Sequence, residues 1–383
     1  MSREAEENTN KKSNINVRKV LANSLIIIIT LSAGFFVGVA GSSLMQGMTK
    51  ERVVEDEIVA ESTVDNEQTE ESTEATERVE EQQPLYLPSE YDFKVDEITI
   101  EIEGLSRGYD IAFINDLHLI TDTEPGDVLE ENLPTIEERY NTFSTDDGFH
   151  SDELWPEIIK FLNYYDFDGV VFAGDMLDYC SHNNMAVLSE GFDALKYPKE
   201  KIMYIRSDHD YGGWYGGSVF TDEDGFALQS ELWDGDEGEN CIEFDEFLIA
   251  GVNKSYQNIS DGRLSFLNEK MNAGKPVIMV THVPFYSEED SSLEELSMEK
   301  RNRIYYWNKE NSSYCPDGNT QTFIDNMYDK NSNVIQLLAA HMHASWDGVV
   351  VNDLRQHIFG PAFEGRIGIV HVVAPKESEE GKK

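Results

Sequence analysis

The sequence predicts an α/β fold in which mixed sheets are flanked by helices, and three observations carry that prediction. Short apolar runs of strand length alternate with helical patterns through the first half of the chain, as is typical of βαβ units. Hairpin-like pairs of strands come later, which indicates antiparallel pairing as well. Five of the apolar runs end in residues that bind metals, and carboxyl ends of strands meet in one crevice of an open sheet. We therefore expect one folded domain, residues 91–376, with a site at its strand ends.

The elements of this domain can be assigned in chain order. Alternation over residues 93–102 predicts an antiparallel strand, and the polar residues 121–150 predict a long loop or insertion. Ser151 is expected to cap a helix that leads to the strand beginning at Val170. The remaining predictions are a helix over 185–196, a strand from Ile202, a hairpin over 241–250, helices over 263–272 and 320–329, strands from Val277 and Val334, an acidic insertion over 286–319, and strands over 348–351 and 367–373.

The overall charge excludes one class of partner. The chain has 74 acidic and 30 basic side chains and a net charge of -44. Such a surface repels nucleic acid phosphates at long range, so duplex DNA or RNA is not expected to bind. Its three cysteines, Cys180, Cys241 and Cys315, are too few for a disulfide scaffold and have no metal-binding spacing. The sequence leaves the oligomeric state open.

The N-terminal part predicts a membrane anchor. Residues 20–41 carry no charge and are long enough to cross a bilayer as a helix. Basic residues precede them and acidic residues follow, so residues 1–19 are expected in the cytoplasm and the remainder outside it. The acidic residues 42–90 offer few large apolar side chains and predict a solvated stalk, and residues 377–383 form a short tail. A cleaved signal peptide is the alternative reading of residues 20–41.

The strand ends supply three carboxylates and four imidazoles. This set suits two divalent ions such as Mn, Fe or Zn, and it is too rich in nitrogen for calcium. Two such ions can clamp a phosphoryl group and lower the pKa of a water molecule, which predicts a phosphoesterase. The candidate ligands are Asp116, His118, Asp175, Asp208, His282, His341 and His343.

The order of these residues resembles the calcineurin-like metallophosphoesterase family. The matching blocks are Asp116-Leu117-His118, Gly174-Asp175-Met176-Leu177-Asp178, Ser207-Asp208-His209-Asp210, His282 and His341-Met342-His343. The resemblance implies a β-sandwich of two mixed sheets with helices on both outer faces. It also implies that Asp116, His118 and His343 hold one ion, that Asp175 bridges, and that Asp208, His282 and His341 hold the other. His209 would act on the leaving oxygen or the phosphate, oriented by Asp178.

Three residues depart from the family pattern. Asp208 stands where the family has Asn, and Ser207 and Ala340 stand where it has Gly. A carboxylate at position 208 still binds a metal but adds negative charge. The two lost glycines require negative φ angles or a shifted backbone at those positions.

Two functions follow as hypotheses. The first is a membrane-anchored, extracytoplasmic enzyme in which a metal-bound hydroxide attacks a phosphate monoester, diester or pyrophosphate, either a small molecule or a component of the cell envelope. The alternative is a degenerate family member that serves as a surface binding module, as the three departures would allow. A group of side chains in the second insertion either lines a substrate pocket or forms an ordinary surface: Arg301, Arg303, Tyr305, Tyr306 and Trp307.

Overall fold

The computed structural model describes residues 86–123, 126–212, 219–230, 240–252, 259–309 and 314–376. The predicted cytoplasmic tail, the membrane helix over 20–41, the stalk up to residue 85 and the tail over 377–383 therefore lie outside the described residues. Within the described residues, no helix has both the length and the apolar character needed to cross a bilayer.

Two mixed sheets form the centre of the fold. The strands are β1 (Lys94–Glu101), β2 (Tyr109–Ile114), β3 (Gly169–Ala173), β4 (Ile202–Ile205), β5 (Cys241–Glu243), β6 (Leu248–Val252), β7 (Val277–Thr281), β8 (Val334–Ala339), β9 (Trp346–Val351), β10 (Leu354–Ile358) and β11 (Arg366–Val373). The first sheet has the order β1-β11-β2-β3-β4 and the second has the order β5-β6-β7-β8-β10-β9. Strands β2, β3 and β4 run parallel, as do β6, β7, β8 and β10. The pairs β11–β2, β5–β6 and β9–β10 are antiparallel.

Helices connect the strands and cover the outer faces of the sheets. They are α1 (Leu133–Thr142), α2 (Ser151–Tyr164), α3 (His182–Asp193), α4 (Asp208–Tyr211), α5 (Asp222–Ser230), α6 (Asp261–Met271), α7 (Ser292–Arg301) and α8 (Gly318–Tyr328). Short 3₁₀ turns occupy Glu130–Asn132, Lys199–Lys201 and Ala362–Glu364.

Alternation along the buried strands builds the layers. Because successive side chains of a strand point to opposite faces, each central strand contributes to two cores. The core between the sheets contains Ile111, Phe113, Val171, Ala173, Met203, Ile205, Ile249, Ile278, Val280 and Leu338. On the outer face of the first sheet, Ala112, Val170 and Phe172 pack with Leu154, Ile158 and Leu162 of α2 and with Leu188 of α3. On the outer face of the second, Ala250, Met279 and Leu337 pack with Leu267 of α6 and with Phe323 and Ile324 of α8.

This architecture confirms the predicted pair of mixed sheets flanked by helices and corrects three details. The strand over 93–102 is not antiparallel, because among the described strands β1 pairs with β11 alone and in parallel register. Helices α1 and α7 lie inside the two segments expected to be insertions. The cap of α2 is His150, whose N–H donates to Glu153 Oε2 (3.0 Å). Ser151 instead donates to the His118 carbonyl oxygen (2.9 Å), beside the predicted site.

A polar contact joins the start of β2 to the β5–β6 turn. Glu246 in that turn accepts hydrogen bonds from Ser106 Oγ (2.5 Å), Ser106 N (3.1 Å) and Tyr109 Oη (2.6 Å). These bonds, the serine hydroxyl first, lower the pKa of Glu246 to about 2. The contact connects one sheet to the other at the end of the domain opposite the strand ends that carry the predicted ligands.

Candidate metal centre

The carboxyl ends of five parallel strands position the predicted site. Strands β2, β3 and β4 are in parallel register in one sheet, and β7 and β8 are neighbours in the other. The loops that follow them are joined by backbone hydrogen bonds: Asp116 N donates to the Gly174 carbonyl (3.0 Å), and Ala340 N donates to the His282 carbonyl (2.9 Å). The residues after these strands are therefore brought together at one edge of the sandwich.

Six of the seven predicted ligands lie in two groups that share one residue. The first group is Asp116, His118, Asp175 and His343, and the second is Asp175, His282 and His341. Within each group, one ligand atom from every residue lies within 4.8 Å of the others. The shared residue is Asp175, the carboxylate that the resemblance assigns to a bridging position.

One oxygen atom makes this sharing explicit. Asp175 Oδ2 lies 3.6 Å from His118 Nε2 and 3.1 Å from His282 Nε2. Each of those nitrogens faces a second imidazole, because His118 Nε2 is 3.2 Å from His343 Nε2 and His282 Nε2 is 3.2 Å from His341 Nδ1. A single carboxylate oxygen thus lies between two imidazole pairs, which is the arrangement expected of a binuclear centre.

The donor atoms fit metal ions. Asp116 Oδ1 and His341 Nε2 are buried and accept or donate no hydrogen bond among the described residues. Buried polar atoms are normally paired, so such orphans at a cluster of ligands indicate a site for a cation. The outer nitrogens are fixed: His118 Nδ1 lies 3.0 Å from Asp178 Oδ1, and His282 Nδ1 lies 2.9 Å from the Ala173 carbonyl oxygen. These contacts orient the Nε2 atoms towards the shared carboxylate.

The backbone at the site is in an unusual conformation. Five ligand residues have φ between 48° and 71°, in the left-handed region that non-glycine residues rarely adopt: Asp116, His118, Asp175, His341 and His343. Each such residue costs about 1–3 kcal/mol and persists only where the surrounding structure holds it. The turns that aim these side chains inwards are thus maintained against a local preference.

Gly174 is required by close packing. It has φ of 88°, and a Cβ atom built on it would lie 2.7 Å from His282 Nδ1. Only glycine allows this turn after β3 to approach the His282 ring. The two glycines that this chain lacks are not needed in the same way. Ser207 has φ of −109°, and Ala340 is not among the described residues with positive φ. Both positions therefore have the backbone conformation that a residue with a side chain requires.

Arg139 was not predicted from the sequence, and it is the main addition to the site. Its Nε donates to Asp178 Oδ2 (2.6 Å) and its Nη2 donates to Asp178 Oδ1 (2.5 Å). Although burial opposes it, the bonds from Arg139 and His118 hold the pKa of Asp178 well below its usual range. Phe143, one turn further along, stacks on the His118 ring with centroids 4.0 Å apart. Residues 121–150 are polar and acidic, and nothing in that composition indicates that their single arginine contacts the site.

His209 lies beside the first group of ligands. Its Nδ1 is 2.7 Å from the backbone carbonyl oxygen of Asp178 and 3.5 Å from the Asp178 carboxylate. The orientation that was predicted to come from Asp178 therefore comes chiefly from its main chain. Burial by itself would lower the pKa of His209, but the charges of Asp175, Asp178 and Asp208 raise it. The raised pKa favours the protonated form of the imidazole.

Position 208 is buried at the first residue of α4, yet Asp208 is in none of the three possible ligand groups among the described residues, the third of which is His118, Asp178 and His209. Its charge still contributes to raising the pKa of His209 and of His282. The preceding Ser207 hydrogen bonds to the bridging residue, because its Oγ donates to Asp175 Oδ1 and accepts from Asp175 N (2.8 Å). A family glycine could make neither bond.

The electrostatics of the pocket differ from one imidazole to another. Burial lowers the pKa of His118 to about 4, so this imidazole is neutral, the form that binds metals. Against the effect of burial, the surrounding histidines hold the pKa values of Asp116 and Asp175 below their usual range. Burial is likewise outweighed at His282, where the Asp175 carboxylate raises the pKa to about 10.

Comparison with known proteins agrees with this geometry. The family model for calcineurin-like phosphoesterases matches residues 109–345, well over half of the chain. The chain belongs to this family. Family membership and the intact buried cluster make it a metallophosphoesterase, a hydrolase of phosphate esters, with a cluster consistent with a binuclear metal site. No curated protein sequence matches the chain significantly.

Several solved structures are similar to this chain at low sequence identity. They include a dimetal phosphatase from Danio rerio, the protein TT1561 of Thermus thermophilus, and GAP50, the anchor in the inner membrane complex of Plasmodium. Their identities to this phosphoesterase are 10%, 12% and 10%, and their TM-scores are 0.41, 0.33 and 0.32. Each match covers 67% of this chain and, in the same order, 88%, 90% and 72% of the other.

Proposed function

We propose that this phosphoesterase uses two divalent ions, Mn, Fe or Zn, to hydrolyse a phosphate ester outside the cytoplasm while anchored in the membrane. The observation that carries the metal-dependent chemistry is the Asp175 Oδ2 atom between the imidazole pairs of His118 and His282. The position outside the cytoplasm is supported by residues 20–41, which are uncharged, follow basic residues and precede an acidic segment.

The roles of the ligands follow from the two groups. Asp116, His118 and His343 would hold the first ion, Asp175 would be shared, and His282 and His341 would hold the second together with Asp208, whose charge acts on His282. When bound, the ions would polarise the phosphoryl oxygens and lower the pKa of a water molecule. The carboxylates Asp116, Asp175 and Asp208 already bring three negative charges. A phosphodiester adds less charge at phosphorus than a monoester dianion, and we infer that it is favoured.

His209 supplies the proton that the leaving oxygen needs. Its Nδ1 is bound to the Asp178 carbonyl, so a donated proton would come from Nε2. Asp178 and Arg139 act one step further from the substrate, because their ion pair holds His118 in place. The substrate class is a phosphate ester, either a small molecule or a component of the envelope.

The catalytic part of the proposal can be tested on the full chain purified in mild detergent. We expect about two metal ions per chain by elemental analysis and hydrolysis of bis(p-nitrophenyl) phosphate in preference to p-nitrophenyl phosphate. Asp175→Asn should lose both. His371→Gln is the matched control, since its Nδ1 contacts Asp110 (2.7 Å) at the other end of β2. Less than one ion per chain and no turnover of either ester would favour the degenerate binding module instead.

The location can be tested with a native thiol. Cys315 is exposed, whereas Cys180 is buried. A membrane-impermeant maleimide added to intact cells should label Cys315 if the domain lies outside the cytoplasm. A Cys315→Ser variant controls for labelling elsewhere. Labelling that appears only after permeabilisation would contradict the proposed topology while leaving the catalytic proposal intact.

A further inference from the structure

The second insertion covers one wall of the metal centre with aromatic rings. The ring of Tyr305 stacks on His341, with centroids 4.2 Å apart and an angle of 17° between the planes. Tyr314 meets the same imidazole edge-on at 5.0 Å. By contrast, Tyr306 and Trp307 are buried in hydrophobic clusters and are core residues, so only part of the predicted pocket lining reaches the site.

Two guanidinium groups lie over Tyr305. The Cζ atom of Arg301 is 5.0 Å from the ring centroid, and that of Arg303 is 4.6 Å from it. Asn302 between them has φ of 53° and ends α7 with a left-handed residue, which reverses the chain so that both arginines reach one ring. Arg301 Nη2 also lies 3.4 Å from the His341 carbonyl oxygen.

A buried serine fixes this turn. Ser297 in α7 donates from Oγ to the Arg303 carbonyl (2.7 Å) and accepts from Tyr305 N (2.8 Å). The segment is held to the helix on both sides of the reversal. The two arginines are thus presented from a defined backbone, which reduces the entropy lost when they bind a ligand.

The arginines stand out because no carboxylate among the described residues neutralises them. The structure describes eight arginines, of which four have a carboxylate within 4.0 Å: Arg107, Arg139, Arg355 and Arg366. Within the described part of the chain, Arg301 and Arg303 have none, and Arg301 Nε is buried without a hydrogen bond. In a protein with 74 acidic and 30 basic side chains, two unpaired cations beside a metal centre indicate a site for an anion.

We propose that Arg301, Arg303 and Tyr305 bind a second phosphate of the substrate, which makes the substrate class a diphosphate. This inference rests on the proposed function, since the first phosphate would occupy the metal centre beside His341. Guanidinium groups bind phosphate oxygens in a bidentate manner and stack on aromatic rings, and here both guanidinium groups lie over the ring of Tyr305. Two cations match the negative charge that a distal phosphate adds.

The reaction is hydrolysis of a phosphoanhydride bond. One water molecule is consumed, and its oxygen bonds to the attacked phosphorus while the bond from that phosphorus to the bridging oxygen breaks. The bridging oxygen leaves with the distal phosphate, which the arginines hold. The two protons of water are divided between the two phosphate products. His209 is placed to deliver the proton to the leaving oxygen.

A pair of matched ligands tests the subsite. UDP-glucose and uridine 5′-methyl phosphate share a nucleoside, but only the first has a second phosphate. Their affinities for the metal-loaded full chain would be measured by calorimetry and by competition with bis(p-nitrophenyl) phosphate hydrolysis. We expect UDP-glucose to bind at least about tenfold more tightly, and Arg303→Gln to remove about tenfold of its affinity, the effect of one charge-assisted hydrogen bond. The same substitution, Arg303→Gln, should change the affinity for uridine 5′-methyl phosphate less than about twofold.

Arg303 suits this test because its side chain is exposed and lies on the surface of the turn, whereas the bonds that fix the turn are made by its main chain and by Ser297. Arg366→Gln, at a surface pair with Glu364, is the matched control and should leave both affinities unchanged. Equal binding of the two ligands by the wild type, or an unchanged preference in Arg303→Gln, would overturn the subsite. If the proposed function were wrong, the protein would instead bind no metal and hydrolyse no ester. Calorimetry measures ligand binding to the subsite without requiring turnover, so the two failures can be distinguished.

Discussion

Replacing Arg139 with Met tests whether the ion pair behind His118 holds the metal centre together. The Asp178 carboxylate is fully buried and receives two bonds from Arg139 and one contact from His118 Nδ1. Methionine retains most of the side-chain volume but removes both bonds and the positive charge. The carboxylate would then be buried beside two imidazoles, His118 at 3.0 Å and His209 at 3.5 Å, with no guanidinium to compensate its charge.

The expected cost can be estimated from the environment of the pair. Removing one partner of a buried ion pair typically costs about 3–5 kcal/mol, because the other charge is left uncompensated. The Arg139 side chain is 25% exposed, so water can enter beside the vacated position, and we expect the lower end, about 3 kcal/mol. For a domain of this size that free energy corresponds to roughly 6 °C in Tm. Adding Asp178→Asn should recover about 2 kcal/mol, since the uncompensated charge is then absent.

The assay is urea unfolding of the full chain in mild detergent with excess chelator, so that metal binding does not enter the comparison. The four proteins of the cycle are the wild type, Arg139→Met, Asp178→Asn and the double variant. Arg366→Met removes a surface pair with Glu364 (3.3 Å) and should cost less than about 1 kcal/mol. If Arg139→Met costs no more than this control, or if the two variants are additive, the ion pair does not have the role assigned to it.

Three further predictions concern separate parts of the domain. Ser207→Ala should weaken metal binding about tenfold in competition with a coloured chelator, because the Oγ atom hydrogen bonds to the bridging Asp175; unchanged affinity would refute this. Hydrogen bonds from a serine and a tyrosine hydroxyl hold the pKa of Glu246 at about 2 in the folded protein, below its value near 4.5 in the unfolded chain. The ionised side chain therefore stabilises the fold above about pH 4.5, and this stabilisation is lost as the pH falls towards 2. Glu246→Gln should therefore have a lower Tm than the wild type at neutral pH, and the difference should disappear at about pH 2. Burial raises the pKa of Cys180 to about 12, so iodoacetamide at neutral pH should modify Cys315 and not Cys180 in the native protein, as mass spectrometry of peptides would show.

The convergence of six candidate ligands could be predicted because the relevant information is local in sequence. Each ligand follows directly after an apolar run, and parallel strands bring the residues after their carboxyl ends together whatever the intervening loops contain. The assignment of three strands is enough to place Asp116, Asp175 and His282 near one another. The same logic explains why the layers of the sandwich followed from the pattern of buried strands.

The parts that could not be predicted depend on contacts between distant residues. Alternation over 93–102 predicts a strand, but the alternation of side chains is identical in parallel and antiparallel strands, so the parallel pairing with β11 was not accessible. Arg139 meets Asp178 across 39 residues, and nothing in the local sequence of α1 distinguishes it from a surface arginine. Ser151 has the residue type of a helix cap, yet its hydroxyl is used by His118.

The metal centre concentrates features that work against folding, and this distribution is itself informative. Five ligand residues have left-handed backbones, and the buried atoms Asp116 Oδ1 and His341 Nε2 make no hydrogen bond among the described residues. Elsewhere the strands, caps and core agree with local preference, as in the capped helices and the alternating faces of β2 and β3. Strain that is concentrated at a cluster of ligand-type side chains indicates that the cluster is maintained for a purpose other than stability. Divalent cations would offset the electrostatic part of this cost, since they would neutralise the carboxylates and engage the unpaired Asp116 Oδ1 and His341 Nε2 atoms.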